Sequence, residues 1–285
     1  MLFVSVIPLL VIAKGKGIGE GNGNPLRCSC LENPRCLGFI DLTSLKPNDT
    51  QTSILKMVNK VNNFNEKFPE YQTPASICVF PNFSKTVKDN LTAPGVNITV
   101  VSGCFPASQS YLEVKLLESK TAVENGANEV DIVLALNKFL DGDFEGCKKE
   151  ISEIKNIIGD AHLKVILETG LLESEENIRN ASFLAMEAGA DFIKTSTGKL
   201  EPSATPFAAV IMCRCIKEYY EKTGKKIGFK PAGGISTAKD AAVYYAITET
   251  ILGKEWLNRD LLRFGASRVA NSILSEIEKS TVSYY

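Results

Sequence analysis

Histidine is nearly missing from this chain: His162 is the only one in 285 residues. That excludes any centre drawing two histidines from one chain, including the metalloprotease helix motif and the usual histidine-built zinc hydrolase sites. It also disfavours a serine triad, because His162 alone would have to be the base. Excess charge of either sign is missing as well. Lys and Arg number 32 against 33 Asp and Glu, for a net charge of −1. Nucleic-acid binding needs clustered cations, so no nucleic-acid partner is expected. Long apolar runs are absent too. The most apolar stretch, residues 2–13, falls short of the roughly 20 residues that span a bilayer, so no membrane partner is expected. An enzyme of this composition runs its proton chemistry on carboxylates and lysines.

What is present begins with 8 cysteines, too dispersed for a small disulfide scaffold, which reads as reduced thiols in a cytoplasmic protein. Cys28, Cys30 and Cys36 form a C-x-C-x5-C cluster. It lacks the C-x-x-C spacing of zinc sites and would need a fourth ligand; no metal is expected. Residues 2–13 carry an apolar core and a small residue, Ala13, as a secretory signal does, yet no basic residue follows Met1. The glycines at 15, 17, 19, 21 and 23 alternate, and never match the spacing that opens a helix on a pyrophosphate. Residues 1–36 therefore read as a flexible or targeting-like extension.

From Leu37 the chain becomes regular. Short runs rich in Val, Ile and Phe recur at 37–43, 76–81, 98–106, 129–136, 163–169, 191–197, 226–231 and 261–267. They are continuous rather than alternating, as parallel strands buried on both faces are. Amphipathic stretches separate them. Residues 144–158 put Ile151, Ile154 and Ile158 on one face; residues 174–188 do so with Ile178, Ala181, Leu184 and Ala188, behind a Ser174 cap. Eight such units predict an α/β fold, a single (β/α)8 TIM barrel over 37–279 with a short tail at 280–285. An open doubly wound sheet also alternates strand and helix, but does not predict eight similar units with polar residues at strand C-termini. Barrel chemistry sits at those C-terminal ends, with phosphate commonly at the loops after strands seven and eight.

The sixth run ends Phe192-Ile193-Lys194-Thr195-Ser196-Thr197-Gly198-Lys199, and the seventh Gly228-Phe229-Lys230-Pro231-Ala232-Gly233-Gly234. Alternation points Lys194 and Lys230 into the barrel mouth on neighbouring strands, whereas an ordinary strand-end lysine would snorkel to solvent. Two ammonium groups in one pocket repel. Bringing one from about 10.4 to near neutrality takes roughly three units, or about 4 kcal/mol, within reach of a like charge plus partial desolvation. The result is the unprotonated amine that Schiff-base catalysis needs. Asp131, inside Glu129-Val130-Asp131-Ile132-Val133, is a carboxylate in an apolar run, costly unless paired or functional. It reads either as a core ion pair or as a proton carrier for those lysines. Asp41 in the first run is a similar case, and Glu168 in the fifth a weaker one.

Gly233 and Gly234 let backbone N–H groups approach an anion and can open a short helix. Phe264-Gly265-Ala266-Ser267-Arg268 is another small-residue turn, with a hydroxyl and then a cation. With Gly198 and Lys199 these form a candidate phosphate cradle where the barrel rule expects one. Each glycine alone would read as an ordinary turn. His162 precedes the fifth strand, at the opposite end, and reads as structural.

These motifs, with Ile40-Asp41-Leu42-Thr43 and Ile77-Cys78-Val79-Phe80-Pro81, resemble the deoxyribose-phosphate aldolase family from about Leu37 to Lys279. The resemblance implies a metal-free, cofactor-free class I aldolase of deoxyribose catabolism. Such an enzyme cleaves 2-deoxy-D-ribose 5-phosphate to D-glyceraldehyde 3-phosphate and acetaldehyde. It implies Lys194 as the Schiff-base lysine, Lys230 as the cation that lowers its proton affinity, and Asp131 as proton carrier. Asp41, Thr43, Cys78 and Glu168 become supporting residues, and Gly198, Lys199, Gly233, Gly234, Gly265 and Ser267 the phosphate site. The implied partner is a phosphosugar, with a homodimer or other homo-oligomer expected. Some relatives end in a tyrosine that dips into the site, and this chain ends Tyr284-Tyr285. It departs from the family at Arg268, where relatives usually carry a small residue, and at Cys104 and Ser108, which replace common glycines. The competing readings are another Schiff-base barrel aldolase or transaldolase and, outside enzymes, an idle phosphosugar-binding protein.

Overall fold

A computed structural model describes residues 34–285. The eight apolar runs form eight parallel strands: β1 (Ile40–Thr43), β2 (Ser76–Val79), β3 (Asn97–Val101), β4 (Glu129–Val133), β5 (His162–Ile166), β6 (Phe192–Lys194), β7 (Gly228–Lys230) and β8 (Phe264–Ala266). Most are shorter than the runs that predicted them, because the ladder stops where hydroxyl, Gly and Pro residues turn into the loops. Eight longer helices lie between and after them: α1 (Gln51–Asn62), α2 (Ser84–Asn90), α3 (Leu112–Glu124), α4 (Phe144–Ile158), α5 (Glu175–Glu187), α6 (Pro206–Thr223), α7 (Ala238–Leu252) and α8 (Arg268–Glu278). The expected barrel start at Leu37 falls inside a 3-10 helix, Pro34–Phe39, whose Cys36 and Leu37 are core residues. Cys28, Cys30 and the apolar and glycine-rich stretches lie outside the described residues.

Caps set where the helices begin. Thr50, Ser174, Thr205 and Thr237 each accept a backbone N–H three residues on, a device worth about 1 kcal/mol apiece. The periodic face of α4 is buried as predicted, through Ile151, Ile154 and Ile158.

The strands pair in the order β7-β6-β5-β4-β3-β2-β1-β8. The β7–β8 seam is closed by bridges Phe229–Leu262 and Ala232–Gly265, so the sheet returns on itself as a (β/α)8 barrel. Register then does the positioning. Lys194 lies opposite Lys230, Asp131 opposite Lys164, and Val101 opposite Asp131.

Barrel interiors are commonly layered with branched apolar residues. Here Asp41, Ser76, Thr99, Glu129, Asp131, Lys164, Lys194 and Lys230 are all buried. Beneath them the Phe192 ring fills the space that Gly228 leaves empty: a Cβ on Gly228 would lie 2.2 Å from that ring. Lys164 and Arg263 sit over Phe192 at 5.8 and 5.7 Å.

The loop after β3 keeps glycine-like backbone despite its substitutions. Cys104 and Ser108 adopt φ of 61° and 57°, at a cost of roughly 1–2 kcal/mol each. Polar contacts hold both: Cys104 N–H donates to Glu118 at 2.8 Å, and buried Lys115 donates to Ser108 Oγ at 3.0 Å. Among the described residues no helix is long and apolar enough to cross a membrane.

Replacing Gly228 by Ala should force the Phe192 ring to move and lower unfolding stability by about 1–3 kcal/mol, as overpacked cores do. Urea unfolding of the purified variant measures this, and an unchanged midpoint would contradict the packing described.

Candidate active site

Glu129 and Asp131 stand two residues apart on β4, so both point to one face, and that face is the barrel interior. Asp131 is the hub. Its Oδ2 accepts from Lys194 Nζ at 2.8 Å and from Lys230 Nζ at 2.7 Å, while Lys164 Nζ lies 3.2 Å from Oδ1. Asp41 on β1 pairs with Lys230 at 2.5 Å and with Arg263 at 2.6 Å. Glu129 is held by Lys164 at 2.6 Å, by Arg263 at 2.7 Å and by the Thr99 hydroxyl at 2.6 Å. Lys164, Lys194, Lys230 and Arg263 thus face Asp41, Glu129 and Asp131, and the cluster holds one cation more than it has anions.

The surplus settles on Lys194. Burial disfavours its ammonium form, and Lys230 pushes the same way, so its proton affinity falls below the ordinary lysine value although Asp131 opposes. Burial also weighs against the Lys230 ammonium, but Asp131 and Asp41 outweigh it and hold Lys230 protonated well above the ordinary range. Burial likewise opposes the Asp131 carboxylate, yet Lys164, Lys194 and Lys230 hold it ionised far below the usual range. Burial pushes the Cys78 thiol up, keeping it a neutral thiol.

Above this floor lies a cavity of about 280 Å³. Lys194 and Thr43 border it, and so do all six residues read as a phosphate cradle: Gly198, Lys199, Gly233, Gly234, Gly265 and Ser267. Gly198 and Gly233 have φ of 74° and 79°. A Cβ on Gly233 would meet Ser203 at 2.6 Å and the Gly198 backbone at 3.1 Å, so the close approach of the two loops requires glycine at 233. No short helix opens at Gly233-Gly234, contrary to expectation; α7 begins at Ala238. Its box cap, with Asp240 accepting from Ser236 and Thr237, starts the helix there and leaves the glycine turn free.

A model of the DeoC/LacD family of aldolases matches residues 36–253. The chain belongs to that family. It is 41% identical to the human protein named deoxyribose-phosphate aldolase over 260 residues, covering 86% of this chain and 79% of that protein. The mouse protein of the same name gives the same identity and coverage. A solved structure, the deoxyribose phosphate aldolase of Aeropyrum pernix, described as a unique tetramer, superposes with a TM-score of 0.67 at 26% identity, over 90% of this chain and all of that one.

In this aldolase the residues expected to support the pocket divide in two. Asp41 lies within the ion network, and Cys78 is buried beside Leu45 and Val101. Thr43 borders the cavity and donates to the Asp41 carbonyl at 2.8 Å. Glu168 contacts neither lysine; from a left-handed backbone position it accepts from the Thr197 N–H and hydroxyl, pinning the turn that presents Gly198. Gly265 does more than border the cavity, since a Cβ there would press on Ala232 at 2.7 Å and on the Lys230 stem at 3.2 Å. Arg268 is exposed at the cavity rim. Tyr285 stacks on Phe64 at 5.6 Å and lines a second, adjoining hollow, with Asn271 holding the tail backbone. His162 begins β5 at the far end, 3.8 Å from Glu129.

Sequence reasoning passed over Lys164, Glu129 and Arg263. The signal that singled out Asp131, a lone charge in an apolar run, was present in Leu163-Lys164-Val165-Ile166 as well.

Asp41 titrates at about 2 against an ordinary 3.8. A value depressed by folding contributes stability that is complete above the unfolded pKa and is lost as pH falls through the folded one. Stability should therefore fall between pH 3.8 and about 2, with Asp131 and Glu129 acting in the same direction. Asp41→Asn should cost about 3–5 kcal/mol at neutral pH, because Lys230 and Arg263 lose a buried partner, and should flatten that acid limb. Urea unfolding across a pH series reads both.

Proposed function

We propose that this aldolase reversibly cleaves 2-deoxy-D-ribose 5-phosphate to D-glyceraldehyde 3-phosphate and acetaldehyde, through a Schiff base on Lys194. One observation carries the reading: a buried lysine of lowered proton affinity shares a single cavity with a cradle of glycine amides and Lys199. The names of the human and mouse relatives support the substrate.

Neutral Lys194 adds to the C1 aldehyde of the open-chain sugar, and loss of water gives an iminium. The C3 hydroxyl then gives up its proton as the C2–C3 bond breaks, and the bonding pair moves into the iminium to form an enamine. Carbon counting places the break there: carbons 3 to 5 leave as glyceraldehyde 3-phosphate, and carbons 1 and 2 stay on the lysine. Protonation of the enamine at C2 and hydrolysis release acetaldehyde and regenerate the amine. Asp131, held as a carboxylate, accepts rather than donates in the resting site, and the Lys230 ammonium 2.7 Å away is the adjacent proton source. Each positioned transfer is worth about 10²–10⁴-fold. The phosphate, held by Gly198, Lys199, Gly233, Gly234 and Ser267, orients the sugar without touching the reacting bond.

The expected assembly is a homo-oligomer. The tetrameric description of the Aeropyrum pernix structure supports it, as do Tyr111 at the cap of α3 and Val114 and Leu117 within it, exposed at 80, 47 and 66% at three-residue spacing. The six described cysteines are all free, which agrees with a cytoplasmic enzyme of deoxyribose breakdown.

Borohydride reduction with acetaldehyde should leave one reduced two-carbon adduct, on Lys194, by peptide mass mapping; an adduct elsewhere, or none, overturns the mechanism. Lys230→Leu frees Asp131 to hold a Lys194 proton, so the acid limb of kcat/KM should move up by about one unit or more and the peak should fall. Sedimentation velocity should show a multimer that Leu117→Glu shifts toward monomer.

A further inference from the structure

Arg263 enters the barrel just before β8, is 1% exposed and reaches no part of the cavity that holds Lys194. Its guanidinium spans two carboxylates: Nη1 lies 2.6 Å from Asp41 Oδ1 and 3.0 Å from Glu129 Oε2, and Nη2 lies 2.7 Å from Glu129 Oε1. Its Nε donates to the Arg259 carbonyl and its plane rests against Phe192, which fixes the fork. Both carboxylates are also wanted by lysines that serve Asp131. Asp41 competes with Asp131 for Lys230, and Glu129 competes with it for Lys164.

We propose that Arg263 is a positioning residue of the reaction: by neutralising Asp41 and Glu129 it leaves Lys230 and Lys164 to Asp131, and so makes Lys194 the cation the cluster can do without. Without Arg263, two cations would face three buried anions whenever Lys194 is neutral, and the network would hold the Lys194 proton instead. This inference rests on the reading of Lys194 as the reacting amine. The ionisable groups around Lys194 are Asp131 on β4, Lys230 on β7 and Cys78 on β2. Lys164 on β5, Asp41 on β1, Glu129 on β4 and Arg263 lie one contact further in, and His162 touches Glu129 from below. At the mouth Lys46, Lys199 and Arg268 line the cavity, and Glu168 is engaged by Thr197.

Competitive labelling with trace acetic anhydride across a pH series reports the proton affinity of Lys194 without turnover, since only the free amine reacts. Lys194 acetylation is followed by peptide mass spectrometry, beside the kcat/KM profile for deoxyribose 5-phosphate. Arg263→Met should raise the labelling midpoint by about one unit or more and move the acid limb of kcat/KM with it. Arg263→Lys, which keeps the charge, should restore most of the shift. Glu129→Gln should lower the midpoint, and Arg263→Met with Glu129→Gln should return it toward the parent value. A folded Arg263→Met with an unmoved midpoint overturns the proposal. So does an unmoved or raised midpoint in Glu129→Gln, which decides the matter even if Arg263→Met fails to fold. A labelling shift without a borohydride adduct on Lys194 would refute the Schiff-base reading, and with it a part for Arg263 in the reaction, while leaving its control of the Lys194 proton intact.

Discussion

The Asp131 carboxylate takes Lys194 and Lys230 on one oxygen and Lys164 near the other, and this shared coordination is the constraint on which the site depends. Removing an ion from water costs several kcal/mol even after relaxation, and one partner rarely repays it. Here every buried ion of the cluster except Lys194 has more than one partner of opposite charge. Glu129 binds Lys164 and Arg263, Asp41 binds Lys230 and Arg263 with Lys164 at 3.7 Å, and Arg263 bridges the two. The network extends from β8 through β1, β4, β5 and β7 to β6, so barrel closure and ion pairing support one another. Its odd cation is the basis of the reactivity proposed for Lys194, because an electroneutral cluster is reached when one lysine releases its proton. Lys194 is the one that borders the cavity and has the fewest anionic contacts.

Above that floor the chemistry passes from charged side chains to backbone. Gly198 and Gly233 approach so closely that a Cβ on Gly233 would strike its neighbours, and both have positive φ. Below the floor the same principle operates in reverse: the Gly228 side chain is absent so that Phe192 can close the barrel under the ions. Glycine makes room for an anion at one end and for an aromatic ring at the other.

Part of this was legible in advance. The eight-unit repeat, the inward parity of Lys194, Lys230 and Asp131, and the convergence of Gly198, Gly233 and Ser267 all follow from local pattern. Strand register preserves parity, and the barrel brings successive strand ends together. Cys104 and Ser108 replace common glycines of the family, and the backbone is left-handed at both, with Glu118 and Lys115 satisfying the loop from α3. Glu168, expected as a supporting residue of the pocket, acts through Thr197 rather than through the lysines, since its own φ of 52° turns it out of the strand.

Residue type and spacing by themselves determined the fold class and pointed to the proposed lysine route, because one histidine leaves no room for a histidine-built metal centre and two inward lysines on neighbouring strands must interact. Only the tertiary structure singled out Lys194 as a lysine of lowered proton affinity. That choice depends on Asp41, Lys164, Glu129 and Arg263, which lie 33 to 222 residues from their partners along the chain and meet only where the closed sheet excludes water. Proton affinity is set by distance and burial, and neither is written in sequence spacing.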